Sequence, residues 1–159
     1  MICILSPRLI TNWLGHIERK LNGLIKVKRL ETINVCGGDV LKVIEHNQLD
    51  SFGEVYFSEI QGGFVKAWKK HSQMTLRLVV PAGMVRFVFF DSEGKKKLHD
   101  ETIGRENYSL ITVLPNIWFG FKGIGYGTNL VMNIADIMHE PDEVERLGIE
   151  DIAFDWSGS

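Results

Sequence analysis

From about residue 26 onward the chain is written in short β-prone runs, each closed by turn residues. The runs are VKRLETI, DVLKVIE, GEVYFSEI, FVKAW, MTLRLVV, MVRFVFFD, YSLITVL, IWFGF and NLVMNIAD. Between them stand the glycine pairs at 37–38 and 62–63, PAG at 81–83, SEG at 92–94, LPN at 114–116 and GIGYG at 123–127. No strand–helix–strand alternation is present, which argues against a Rossmann-type sheet. The pattern predicts an all-β sandwich, jelly roll or barrel.

The two ends have a different texture. Over residues 7–25, Ser6 can cap and Pro7 suits the first helical position. Leu9, Ile10, Trp13, Leu14, Ile17 and Leu21 fall at helical spacing, so this stretch predicts a helix ended by Asn22 and Gly23. It would pack on a sheet or on a subunit neighbour; its polar face is not strongly basic, which speaks against a membrane surface. Near the other end, Pro141, the acidic Asp142 and Glu143, and then Gly148 predict a short helix over 141–149. No linker, low-complexity run or repeat interrupts the chain. The reading is one domain over 1–159, with a helical arm over 1–28, a jelly roll or barrel over 29–140 and a helix over 141–149.

Charge and cysteine content narrow the partners. The net charge is −2, so no global field favours nucleic acid or an acidic membrane. The opening MICILSPR has no basic region and too short an apolar run for a signal peptide. No stretch approaches the roughly 20 apolar residues of a membrane span. With only Cys3 and Cys36, reduced thiols are the simpler expectation. These points together predict a soluble cytoplasmic protein whose partners are small molecules or further copies of itself.

Candidate chemistry concentrates in one stretch, GFVKAWKKHSQMTLRLVVPAG, residues 63–83. It gathers Lys66, Trp68, Lys69, Lys70 and His71 before an apolar run. On a strand, residues two apart share a face. Lys69, His71, Thr75 and Arg77 would then line one face and Met74, Leu76, Leu78 and Val80 the other, provided no bulge intervenes. Glu59 and Gln61 repeat the alternation on the preceding run. If that face is interior it forms a polar cavity; if not, it is solvent-exposed, and periodicity alone does not decide. Of the other histidines, His16 and His99 read as surface residues, and His139 as surface or site rim. No pair has zinc-ligand spacing. GIGYG precedes a strand-like run rather than a helix, so it reads as a turn, not a phosphate loop.

The spacing around these residues resembles a cupin. Gly63, five residues, then Lys69-Lys70-His71, and later Gly83, follow the first cupin motif, and LPNIWFGF with Pro115 follows the second. Most of the usual metal ligands are replaced, so no metal and no cofactor are expected. The run from Gly53 through Gly123, with the closing EPDEVER, resembles the dTDP-4-dehydrorhamnose 3,5-epimerase family of metal-free cupins and the related nucleotide-sugar 3,4-ketoisomerases. That resemblance implies a cupin double-stranded β-helix, a homodimer, and a nucleotide-sugar substrate bound in the barrel. It implies proton abstraction beside the ketone of a nucleotide-activated 4-keto-6-deoxy sugar, in deoxysugar and surface-polysaccharide biosynthesis.

Carried over by position, Lys66 stands for the family's phosphate-contacting Arg and Lys69 for its base His. The family's acid Tyr falls at Ile137 or Met138, and its supporting Asp has no counterpart. His71 matches the second histidine of the ketoisomerases' His-x-His. The resemblance therefore implies His71 as base and Lys69 as an enolate or phosphate partner. Lys69 could itself act as base only if burial or nearby cations lower its pKa. Lys66, Arg77, Glu59, Gln61, Trp68 and His139 are the expected substrate contacts. The departures leave a second expectation: a cupin that binds a sugar nucleotide or a partner enzyme without epimerising.

Overall fold

A computed structural model describes residues 18–21 and 23–158. Its strands are β1 (Glu18–Leu21), β2 (Ile25–Arg29), β3 (Thr32–Ile33), β4 (Val40–Leu41), β5 (Glu54–Gln61), β6 (Val65–His71) and β7 (Leu76–Ala82). They continue as β8 (Met84–Phe90), β9 (Lys97–Gly104), β10 (Ser109–Val113), β11 (Trp118–Gly123), β12 (Thr128–Ala135) and β13 (Val144–Arg146). The first sheet has the order β1-β2-β10-β7-β12-β5 and the second β13-β6-β11-β8-β9, while β3 and β4 form a small ladder of their own. Every ladder between named strands is antiparallel. Two such sheets face to face are the jelly roll that the turn-punctuated sequence predicts.

The pleat explains the core. On β7, Leu76, Leu78 and Val80 face the second sheet and meet Phe87 and Phe89 of β8 and Phe119 and Phe121 of β11. Each such side chain removed from water contributes roughly 1.5–3 kcal/mol. The outer faces are also covered. Val79, Tyr108 and Leu110 pack under Leu30, Leu41 and Val43, so residues 30–43 lie over the first sheet. Trp68, Val88, Phe90 and Trp118 pack under Ile152, Phe154 and Trp156, so the C-terminal tail lies over the second.

Several expectations about local structure are corrected. Within the helix expected over 7–25, residues 7–17 lie outside the described residues, but 18–21 and 25–29 form an antiparallel hairpin. Leu110 and Ile111 pair with Lys28 and Val27 there, and a ladder onto an existing sheet outweighs an isolated helix of marginal length. The helix expected over 141–149 is a single 3-10 turn, Pro141–Glu143, followed directly by β13. The charged run that holds His99 forms strand β9, an edge strand that among the described strands pairs with β8 alone. His99 is accordingly not a surface residue: its side chain is 15% exposed and its Nε2 lies 2.9 Å from Glu101 Oε2. Cys36 is disulfide-bonded, not a reduced thiol.

Candidate active site

β5, the edge strand of the first sheet, lies beside β6 of the second along a seam. Lys66 Nζ donates to the Glu59 carbonyl at 2.6 Å and stitches β6 to β5 across it. Inside this seam the structure gathers a cluster of ionisable groups.

Lys69 and His71 share the inward face of β6, as residues two apart on one strand must. His71 is 5% exposed and its ring lies over Phe119, centroids 6.2 Å apart. Its Nδ1 lies 2.5 Å from Oε1 of Glu143, which is itself 3% exposed. The second Glu143 oxygen accepts the backbone N–H groups of Gln73 and Met74. A carboxylate acting only as acceptor makes Nδ1 the donor and leaves Nε2 bare. Burial holds the His71 pKa below its ordinary value, against the raising effect of Glu143. Nε2 is buried with no hydrogen-bond partner. It belongs to a tight apolar pocket formed with Met74, Leu76, Val113, Leu114, Ile117 and Phe119, which leaves no room for a water molecule.

Lys69 is partly buried and keeps some contact with solvent. Its Nζ sits 5.1 Å from the Phe119 ring centroid. It makes no hydrogen bond or ion pair with a described residue. The β6–β13 register sets Arg146 directly opposite it. Burial first, then the Arg146 cation, with a smaller push from Lys66, lower its pKa from 10.5 to about 8, against the pull of Glu143. The condition under which a lysine can serve as base is therefore met by burial and a neighbouring cation. Lys70 points the other way, over Trp118, and pairs with Glu145 at 3.1 Å.

The other expected contacts are dispersed. His139 is exposed ahead of the 3-10 turn, near enough for its charge to lower the His71 pKa. Arg77 does not share a face with Lys69 and His71. It sits on β7, in the other sheet, paired with Thr112 and Ile134 and facing away from Leu76 and Leu78. Residues 72–75 cross between the sheets, and the crossover breaks the parity that a continuous strand would have kept. Glu59 and Gln61 are exposed on the outer face of β5, where Gln61 donates to Thr128 Oγ1 at 2.8 Å. Trp68 faces outward from the barrel, buried beneath the tail, and donates through Nε1 to the Ile149 carbonyl. GIGYG is the turn between β11 and β12, and a strand follows it.

Three members of the cluster escaped the sequence reading: Glu143, Arg146 and Tyr56. Tyr56 shares the face of β5 that carries the core residue Ile60 and stands opposite Asn133 of β12. Burial raises its pKa, and the charges of Glu54 and Glu143 add to the effect, which brings Tyr56 into the electrostatic surroundings of the cluster. Among the described residues, no three His, Cys, Asp or Glu side chains converge to hold a metal ion.

A dTDP sugar isomerase from Desulfovibrio desulfuricans G20 superimposes with a TM-score of 0.79 at 36% identity, covering 88% of this chain and 94% of that one. The chain belongs to the dTDP-4-dehydrorhamnose 3,5-epimerase-like family. The spore coat polysaccharide biosynthesis protein SpsL of Bacillus subtilis (strain 168) is 23% identical over 143 residues, 84% of this chain and 95% of its relative. The dTDP-6-deoxy-D-glucose-3,5-epimerase of Legionella pneumophila Philadelphia 1 shares the fold, with a TM-score of 0.72 at 18% identity, covering 84% of this chain and 78% of that one. No family model matches the chain. In this chain Lys69 lies two residues from the buried His71–Glu143 pair on the inward face of β6.

Proposed function

We propose that this protein is an epimerase or isomerase of a nucleotide-activated 4-keto-6-deoxy sugar, working by proton abstraction next to the ketone in deoxysugar and surface-polysaccharide biosynthesis. The observation that carries the reading is the Lys69 amine at the family's base position, half-buried on the inward face of β6 over Phe119 and without a hydrogen bond or ion pair to a described residue; burial and Arg146 lower its pKa to about 8. A base poised near the working pH combines an available lone pair with useful proton affinity. This assignment reverses the roles expected from the sequence. His71 Nε2 is sealed in an apolar pocket, so His71, held by Glu143, supports the strand that presents Lys69. Lys69 takes the proton. Arg146 and Lys66 supply positive charge for the enolate and for the diphosphate of the substrate.

The same reading makes the protein a cytoplasmic homodimer that binds neither nucleic acid nor membrane. Exposed Phe52, Val55 and Phe57 at and before the edge strand β5 support a covered face there. Among the described residues no helix is long and apolar enough to cross a membrane. The Cys36 disulfide is the observation that weighs against the cytoplasm.

The test is solvent-proton exchange. Incubated in deuterated water with a dTDP-4-keto-6-deoxyhexose, the protein should place deuterium at C3 or C5 of the sugar. No incorporation with any 4-keto sugar nucleotide would leave only the binding function.

A further inference from the structure

Epimerisation needs a second proton carrier on the face opposite the base, and at the family's acid position this chain has Ile137 or Met138, neither of which carries a proton. We propose that Tyr56, presented from β5 across the seam, is the proton donor of this site. The inference rests on the epimerase or isomerase reading above and assigns a residue to its second half.

Geometry selects Tyr56 among the three tyrosines. Tyr108 is buried on the outer side of the first sheet, in the cluster covered by residues 30–43. Tyr126 is fully exposed in the turn between β11 and β12, at the end of the barrel away from His71. Only Tyr56 faces the interior. The pleat of β5 turns it to the side of Ile60, and the Lys66–Glu59 stitch sets β5 against β6. Lys69 and Tyr56 are thus contributed by different sheets, from neighbouring strands whose inward faces look into the same interior. Asn133 steadies the donor strand, its Nδ2 donating to the Tyr56 carbonyl at 3.5 Å and to Ser58 Oγ at 3.3 Å. Burial and the charges of Glu54 and Glu143 keep the phenol protonated at neutral pH, as a donor must be.

The step balances without a co-reactant. The C–H proton goes to Lys69 Nζ and its electron pair to the ketone oxygen, giving the enolate. The Tyr56 O–H then delivers its proton to the opposite face of the same carbon as the electrons return. The ammonium and phenolate re-equilibrate with water.

Tyr56→Phe separates the two halves. In deuterated water with the 4-keto sugar nucleotide, the variant should keep wash-in of deuterium within about threefold of wild type, because the Lys69 ammonium exchanges with solvent and returns a deuteron to the same face. Inverted or isomerised product should fall at least 100-fold. Equal loss of exchange and product in a variant that melts like wild type would overturn the proposal, as would undiminished product. Absence of exchange in the wild type would sink the underlying reading itself. As a second variant that keeps the phenol, 3-fluorotyrosine at position 56 should move the alkaline limit of product formation to lower pH and leave the exchange limit in place. An unmoved limit overturns the proposal.

Discussion

Replacing Lys69 with methionine should stabilise the protein while abolishing its chemistry. The lowering of the Lys69 pKa from 10.5 to about 8 measures how much the folded site disfavours its charge. At 1.36 kcal/mol per unit this corresponds to roughly 3 kcal/mol. Residual solvent contact reduces it, and methionine forfeits a cation–π contact with Phe119 worth about 0.5–1 kcal/mol. The expected net gain at pH 7 is about 1–2 kcal/mol, or a Tm higher by roughly 2–8 °C for a chain of this size. The pH dependence carries the argument. Below pH 8 the amine is charged in both folded and unfolded chains, so the cost of burying it is fully present. Between about pH 8 and 10.5 the folded chain sheds this proton before the unfolded one, and wild-type stability rises relative to the variant. Urea titrations of both proteins at pH 7 and near pH 10 should show the gap closing. A variant less stable than wild type at pH 7, or a gap indifferent to pH, would refute the claim that Lys69 is held in a hostile environment for catalysis.

Glu143→Gln keeps the shape of the side chain but weakens the bond to buried His71, and should cost about 1.5–3 kcal/mol in urea unfolding; an unchanged midpoint would mean that the pair contributes nothing to the fold. Gly120→Ala places a methyl group 2.6 Å from the Ala67 Cβ and 3.1 Å from the Trp68 ring, where β11 crosses β6. It should destabilise by about 1–3 kcal/mol through overpacking, read as a lower Tm, with normal melting arguing that β6 can retreat.

The sequence by itself determined the fold class, because a strand's two-residue alternation and its turn residues are written in consecutive positions. It also placed Lys69 and His71 together, since they lie two apart on one strand. It failed wherever the answer depended on what a segment meets. The polar β9 is a strand because β8 offers it a ladder. Residues 18–21 and 25–29 form a hairpin because β10 is there to pair with. The EPDEVER segment becomes a 3-10 turn and β13 because β6 has an open edge. Tertiary structure alone decided the site. Arg77 left it at the crossover of residues 72–75, which carries the chain from one sheet to the other. Glu143 and Arg146 came beside the β6 cluster through the pairing of Val144 with His71 and of Arg146 with Lys69. Such contacts join residues far apart in the chain, and their energy lies in long-range register and burial. No local pattern encodes that energy, so the basic cluster of β6 becomes an active-site candidate only once its neighbours are in place.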